Sequence, residues 1–130
     1  MTDEELLSRA GEAAEGSYSP YSHFRVGAAI VTADGTIVTA ANVENAAFGA
    51  SICAEANAIS SAIADGATSI STVAVVCLDG DLCTPCGNCR QIMREFGVER
   101  VIMRTTDGAV WAVSLEDLLP VSFGPEALED

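Results

Sequence analysis

Five cysteines and one glutamate carry the sharpest chemical signal in this chain of 130 residues. Cys86-Gly-Asn-Cys89 is a C-x-x-C motif at the predicted start of a helix, and Cys83 stands three residues before it. The i, i+3 spacing puts Cys86 and Cys89 on one face of that first turn. A helix N-terminus lowers a thiol's pKa and favours the thiolate, the form that binds metal. Cys53 also stands at a predicted helix start, so two helix N-termini facing one another could supply three thiolates to one Zn²⁺. Three protein ligands and an open position describe a catalytic zinc, whereas four describe a closed structural one. Cys83 decides between them. Pro85 restricts Thr84 to extended conformations, which tends to point Cys83 away from the helix start, but spacing alone leaves both arrangements open.

Glu55 shifts the balance toward catalysis. It follows Cys53 by two residues. A carboxylate at a helix N-terminus can simply compensate the dipole, but beside a metal-activated water it becomes a proton shuttle. A metal ligand, any residue, Glu, and later P-C-x-x-C is the signature of zinc deaminases, with Cys replacing the usual His in the three-cysteine variant. Either half alone is weak. Both halves in this order, each at a helix start, are specific.

The elements that must position these residues follow from periodicity and turn chemistry. Thr2 or Asp3 can cap a first helix carrying the apolar stripe Leu6, Leu7, Ala10, Ala13 and Ala14, ended by Gly16. Two β-branched runs, Phe24 to Thr32 and Thr36 to Val43, flank Asp34-Gly35 and read as a hairpin. Ala46 to Ser51 reads as a loop, and Ile52 to Ala64 as a helix. Ile70 to Leu78 is nearly continuous in apolar residues, as in a strand buried on both faces, and Asp79-Gly80-Asp81 turns the chain. A helix from about Gly87 to Phe96 is followed by strands at Val101 to Met103 and Val110 to Val113. Ser114 to Asp117 resembles a capped helix start, closed by Pro120, and the tail beyond Phe123 reads as mobile in an isolated chain. The order implies an α/β fold of three α-β-α layers, a mixed five-stranded sheet with helices on both faces, in one domain over residues 1–130.

Hydrophobic residues make up 49% of the chain, enough for a core without disulfides, and aromatics only 5%. A domain this size buries roughly two-thirds of its unfolded surface. The net charge of −13, with every basic residue an arginine, argues against nucleic acid and anionic membrane surfaces as partners. It points to a small neutral or cationic substrate, although solubility alone could explain it. No stretch is long enough and apolar enough to span a membrane. The acidic start Met1-Thr2-Asp3-Glu4-Glu5 has the wrong sign for a secretory or transit peptide, so the expected location is the cytoplasm. There, an odd number of cysteines reads as metal ligands or catalytic groups.

Five motifs in order resemble the small homotetrameric cytidine deaminases: Y-S-P-Y-S-H-F-R-V-G-A-A (Tyr18 to Ala29), N-V-E-N (Asn42 to Asn45), C-A-E (Cys53 to Glu55), P-C-G-N-C-R-Q (Pro85 to Gln91) and D-L-L-P (Asp117 to Pro120). The resemblance covers nearly the whole chain. It implies the cytidine deaminase fold and hydrolytic loss of ammonia from cytidine and deoxycytidine in pyrimidine salvage. It also implies one zinc per subunit, held by Cys53, Cys86 and Cys89, with Glu55 as general acid/base. By the same resemblance Asn42 and Glu44 would hold the ribose 3′-hydroxyl, Phe24 would lie against the pyrimidine, and the backbone of Ala54 would meet the base edge. Phe48 and Phe123 match positions that reach a neighbouring subunit's site, which implies a homotetramer with composite sites.

Two departures from the family pattern matter. Ala56 stands where many relatives carry an Arg that offsets thiolate charge, leaving Arg90 as the expected donor to the thiolates. Ala50 stands where the family often has Leu, which would widen the pocket. Both keep open an alternative, a deaminase of a cytosine-nucleoside antibiotic such as blasticidin S, while the retained N-V-E-N favours an intact ribose. Outside the motif context Asn42 and Glu44 would read only as a turn after a strand. His23 reads as a surface loop residue, Cys77 as a small strand hydrophobe, Cys83 as a free thiol near the metal, Trp111 as packing or interface, and Glu126, Glu129 and Asp130 as solvated acids.

Overall fold

The first helix, α1 (Asp3–Ala14), starts where the sequence supplies both halves of a capping box. The Thr2 hydroxyl accepts from the Glu5 N–H, and the Glu5 carboxylate accepts from the Thr2 N–H. The computed structural model describes residues 1–80 and 82–129. Asp81 of the expected turn and Asp130 of the acidic tail lie outside the described residues.

Five strands form one mixed sheet: β1 (Val26–Thr32), β2 (Ile37–Ala41), β3 (Ile70–Cys77), β4 (Arg100–Arg104) and β5 (Val110–Ser114). Their order is β2-β1-β3-β4-β5. All neighbours are antiparallel except β3 and β4. That parallel pair needs a crossover, which α3 (Gly87–Glu95) provides. Together with α2 (Ala54–Ala64) and the short α4 (Leu115–Leu118), α3 covers one face of the sheet. There Ile30, Val73 and Met103 of the sheet meet Ile59 of α2 and Met93 of α3. On the opposite face α1 packs Leu6, Leu7 and Ala10 on Ala29, Ala74 and Ile102. The three layers and the five-stranded mixed sheet match the expectation.

Small residues let the layers approach. A side chain at Gly27 of β1 would place its Cβ 1.9 Å from the Ala10 carbonyl oxygen and 2.5 Å from the Ala14 nitrogen. The clash is with backbone, so no rotamer change relieves it. Glycine in the F-R-V-G-A-A motif therefore lets α1 lie directly on the sheet.

Several boundaries differ from those read in the sequence, each for a tertiary reason. β1 starts at Val26 rather than Phe24 because the Phe24 N–H donates to Ser22 Oγ (3.0 Å) and the Arg25 N–H to Asp79 (2.9 Å) instead of to a ladder. β2 ends at Ala41, and Val43 makes isolated bridges to Tyr18 and Ile52. That bridge holds Ile52 outside α2, which begins only after Cys53. Phe48–Ala50 forms a 3-10 turn within the expected loop. The tail read as mobile carries a further 3-10 turn at Pro125–Leu128. Arg94 packs on Gly124 and pairs with Glu126, and Gln91 Nε2 donates to the Phe123 carbonyl (2.9 Å). Glu126 is thus an ion-pair partner, not merely a solvated acid.

Candidate metal and substrate site

The two helices that carry the cysteines begin in the same way. Cys53 is the N-cap of α2 and Cys86 the N-cap of α3, and neither side chain caps its own helix by a hydrogen bond. An N-cap ordinarily spends its side chain on the orphan N–H groups of the first turn. Here the sulfurs are left free, and those N–H groups keep their partial positive charge facing them. Cys89, one turn into α3, completes the group. The ligand atoms of Cys53, Cys86 and Cys89 all lie within 4.8 Å of one another, with Cys89 fully buried and Cys86 exposed.

Three thiols this close cannot all ionise without a cation. Cys53 is drawn down to about 6 by hydrogen bonds from Cys89 and then Cys86, against the effect of its own partial burial. Cys89 moves far in the other direction, because the proton it shares with Cys53 is hard to remove and because it is buried. One thiolate stabilised by its neighbours is the metal-free compromise, and a divalent cation satisfies all three. A compact set of soft sulfur donors suits Zn²⁺. Cys83 is not part of this trio. Its thiol is pushed well above the ordinary range by burial first and by neighbouring Cys77 second, and it is the geometry that sets it apart from the other three.

Glu55 is 4% exposed. Burial pushes its carboxyl up to about 7, and the nearby Cys53 charge adds to the shift. A cavity of about 160 Å³ opens beside it, lined by Phe24, Asn42, Cys53, Ala54, Glu55 and Cys86 among others. Thr84, which sequence reasoning left out, also lines it. Its only signal was its place between Cys83 and Pro85. Ala54 is the first residue of α2 and fully buried, so its N–H is one of the orphan donors of the helix start.

Asn42 and Glu44 hold the loop that carries Phe24. Asn42 Oδ1 accepts from the Val26 N–H (2.9 Å) and from Ser17 Oγ (2.6 Å), while Nδ2 donates to the Phe24 carbonyl (2.9 Å). Glu44 Oε1 accepts from the N–H groups of Tyr21 (3.0 Å) and Ser22 (3.1 Å), and Oε2 accepts from the Ser22 hydroxyl. These bonds, the Ser22 hydroxyl above all, hold the Glu44 carboxyl below the usual carboxylate range. Among the described residues, one Asn42 N–H and one lone-pair direction on Glu44 Oε2 are unspent. Glu44 lines a neighbouring hollow with Tyr21, Ser22 and Phe48 rather than the cavity beside the cysteines. Phe48, 74% exposed, and Phe123, 60% exposed, do not line that cavity.

Arg90 follows Cys89 directly in the chain. Its hydrogen bonds go to backbone carbonyls, Nε to Pro85 (2.8 Å) and Nη1 to Leu118 (2.8 Å), and not to sulfur. Those carbonyls lie within reach of a side chain running back along α3, and they compete for the guanidinium with the thiols. Arg90 therefore fastens the segment entering Cys86 to α4. Ala56 packs its methyl partly buried against the core.

Known proteins resemble this chain in sequence and in fold. The family model described as cytidine and deoxycytidylate deaminase zinc-binding region matches residues 1–105. A cytidine deaminase of Halalkalibacterium halodurans is 36% identical over 132 residues, covering 100% of both chains. The crystal structure of a cytidine deaminase from Burkholderia pseudomallei superposes with a TM-score of 0.87 at 42% identity, covering 95% of this chain and 100% of that one. A blasticidin-S deaminase of Bacillus cereus is more distant, 30% identical over 129 residues, 93% of this chain and 91% of its own. On the sequence match, the superposed fold and the convergent cysteines, the chain belongs to the zinc-binding cytidine and deoxycytidylate deaminase family.

Proposed function

We propose that this chain hydrolyses cytidine and deoxycytidine to uridine and deoxyuridine plus ammonia, as one cytidine deaminase-like domain over residues 1–130. The observation that carries the reading is the buried Glu55 beside three convergent sulfurs, with Glu55, Cys53 and Cys86 at the wall of one small cavity. Cys53, Cys86 and Cys89 would hold one zinc per subunit. Bound there, zinc supplies a Lewis acid that brings the acidity of water toward neutrality.

The rest falls to the chain's own groups. Glu55 has a carboxyl close to neutral in its proton affinity, so it can both take and give a proton at pH 7. It takes a proton from the attacking water and delivers it to N3 of the pyrimidine, then takes the proton of the resulting C4 hydroxyl and delivers it to the exocyclic nitrogen. The C4–N bond breaks and ammonia leaves, with an oxygen from water retained at C4. Phe24 bounds the cavity where a flat base would lie, and the Ala54 N–H would meet the base edge. Asn42 would offer a donor and Glu44 an acceptor to the ribose 3′-hydroxyl. The acidic Glu44 also disfavours a 5′-phosphate, and the charge of −13 disfavours nucleic acid.

The exposed Phe48 and Phe123 support a homotetramer in which these rings enter neighbouring sites, since large exposed apolar side chains are what an assembly buries. No described helix is long and apolar enough to cross a membrane, and a cytoplasmic location in pyrimidine salvage fits a nucleoside substrate. The test is a turnover panel on the zinc-loaded protein over cytidine, deoxycytidine, cytosine and blasticidin S, followed by loss of cytidine absorbance. Turnover of both nucleosides above blasticidin S is expected. No turnover of cytidine overturns the reading, and preferential turnover of blasticidin S moves it to the antibiotic.

A further inference from the structure

Phe24 is seated by residues that do not line the candidate site. Its ring lies against Gly80, where a Cβ would stand 2.9 Å from the ring Cε2 and 3.6 Å from Cζ. Gly80 also has φ near +129°, a conformation that side chains disfavour. So both the backbone shape and the ring's closeness call for glycine. The segment bearing Gly80 is bound in turn to the residue after Phe24. One Asp79 carboxylate oxygen accepts from the Arg25 N–H (2.9 Å) and from its Nε (2.9 Å), and the other accepts from Nη2 (3.0 Å). The Leu78 N–H donates to the Arg25 carbonyl (3.0 Å).

An exposed ion pair by itself contributes little. Here the value of the pair lies in direction. A planar bidentate contact with a further backbone N–H fixes the approach of two segments 54 residues apart. Arg25 holds Asp79 far down, at about 2, so the clamp stays charged throughout the neutral range. Phe24 is 36% exposed and has the cavity on its open side. Without a wall behind it, nothing on that side restricts its ring.

We propose that Arg25, Asp79 and Gly80 are positioning residues for base recognition, setting the plane that Phe24 offers to the pyrimidine and acting only through that ring. The inference rests on the reading of Phe24 as the base contact. Its signature is a loss of affinity with the chemical step intact, because Glu55 and the sulfurs are untouched by the clamp.

The experiment is a double-mutant cycle on the zinc-loaded protein with Phe24→Ala, Asp79→Ala, Gly80→Ala and the two doubles that contain Phe24→Ala. Calorimetry measures the Kd of uridine, and steady-state assays give KM and kcat for cytidine. Asp79→Ala and Gly80→Ala are each expected to weaken uridine and raise KM about 3- to 10-fold, with kcat within about twofold, and to add nothing once Phe24 is Ala. Unchanged uridine affinity in both single variants overturns the proposal. So does an effect that persists in full without Phe24, which would mark a general structural role. If Phe24→Ala alone leaves uridine binding unchanged, the base-contact reading of Phe24 fails, and that outcome is distinct from the other two.

Discussion

Replacing Arg90 by Ala separates two ways in which an arginine next to a metal ligand can act. Its guanidinium is half-buried and donates to the Pro85 and Leu118 carbonyls, both at 2.8 Å. A hydrogen bond from a charged group contributes about 1.5–3 kcal/mol; Pro85 is fully buried and Leu118 half-buried, and the water lost from the half-exposed guanidinium offsets part of the gain, so the pair together supplies about 2–3 kcal/mol. Pro85 directly precedes the N-cap Cys86, so loss of this clamp loosens one sulfur directly and detaches α4 from α3. In urea unfolding, Arg90→Ala should lower stability by about 2–3 kcal/mol. Zinc affinity, measured by chelator competition, should fall about 10- to 100-fold. The pH profile of kcat should stay in place, because no bond from Arg90 reaches a sulfur. Arg90→Lys should rescue only part of the loss, since an ammonium cannot reproduce the planar fork that spans two carbonyls. Unchanged stability together with a displaced pH profile would refute this reasoning and return Arg90 to direct control of thiolate charge.

Two further outcomes follow from the site. The Glu55 carboxyl is raised from 4.5 to about 7 in the folded chain, so its contribution is fully present below about 4.5 and is lost as pH rises through about 7. After chelation of the metal, the stability of the wild type relative to Glu55→Gln should therefore fall by on the order of 3 kcal/mol between pH 4.5 and 8 in urea unfolding, and a flat difference contradicts the buried acid. Cys83→Ala should retain one zinc per chain and turnover within about threefold, whereas loss of the metal would show that a fourth thiolate is required.

The parts legible in the sequence are those built from local signals. The capping box at Thr2 and Glu5, the Asp34-Gly35 hairpin, and the two helix starts at Cys53 and Cys86 each depend on residues a few positions apart. The alternation of strands and helices was enough to imply three layers. The trio of sulfurs could be expected because both helix starts carry cysteine, and excluding Cys83 from it needed the folded geometry. What escaped depends on partners distant in the chain. Arg90 sits beside a metal ligand in sequence, yet its guanidinium is spent on Leu118, 28 residues on. Arg25 reads as part of a strand until Asp79 takes its N–H. Glu44 reads as a sugar ligand by resemblance, and nothing local shows that it also holds Tyr21 and Ser22. The tail after Phe123 offers few apolar residues, and it is Arg94, on a helix, that gives it a partner.

The most direct measurement is zinc content, uridine affinity and cytidine turnover on one preparation of Glu55→Gln. If three sulfurs hold the metal and a buried acid moves the protons, this variant keeps one zinc per chain and binds uridine, while turnover falls about 10²- to 10⁴-fold. Turnover within about tenfold of wild type, with zinc retained, would contradict the assignment of proton transfer to Glu55.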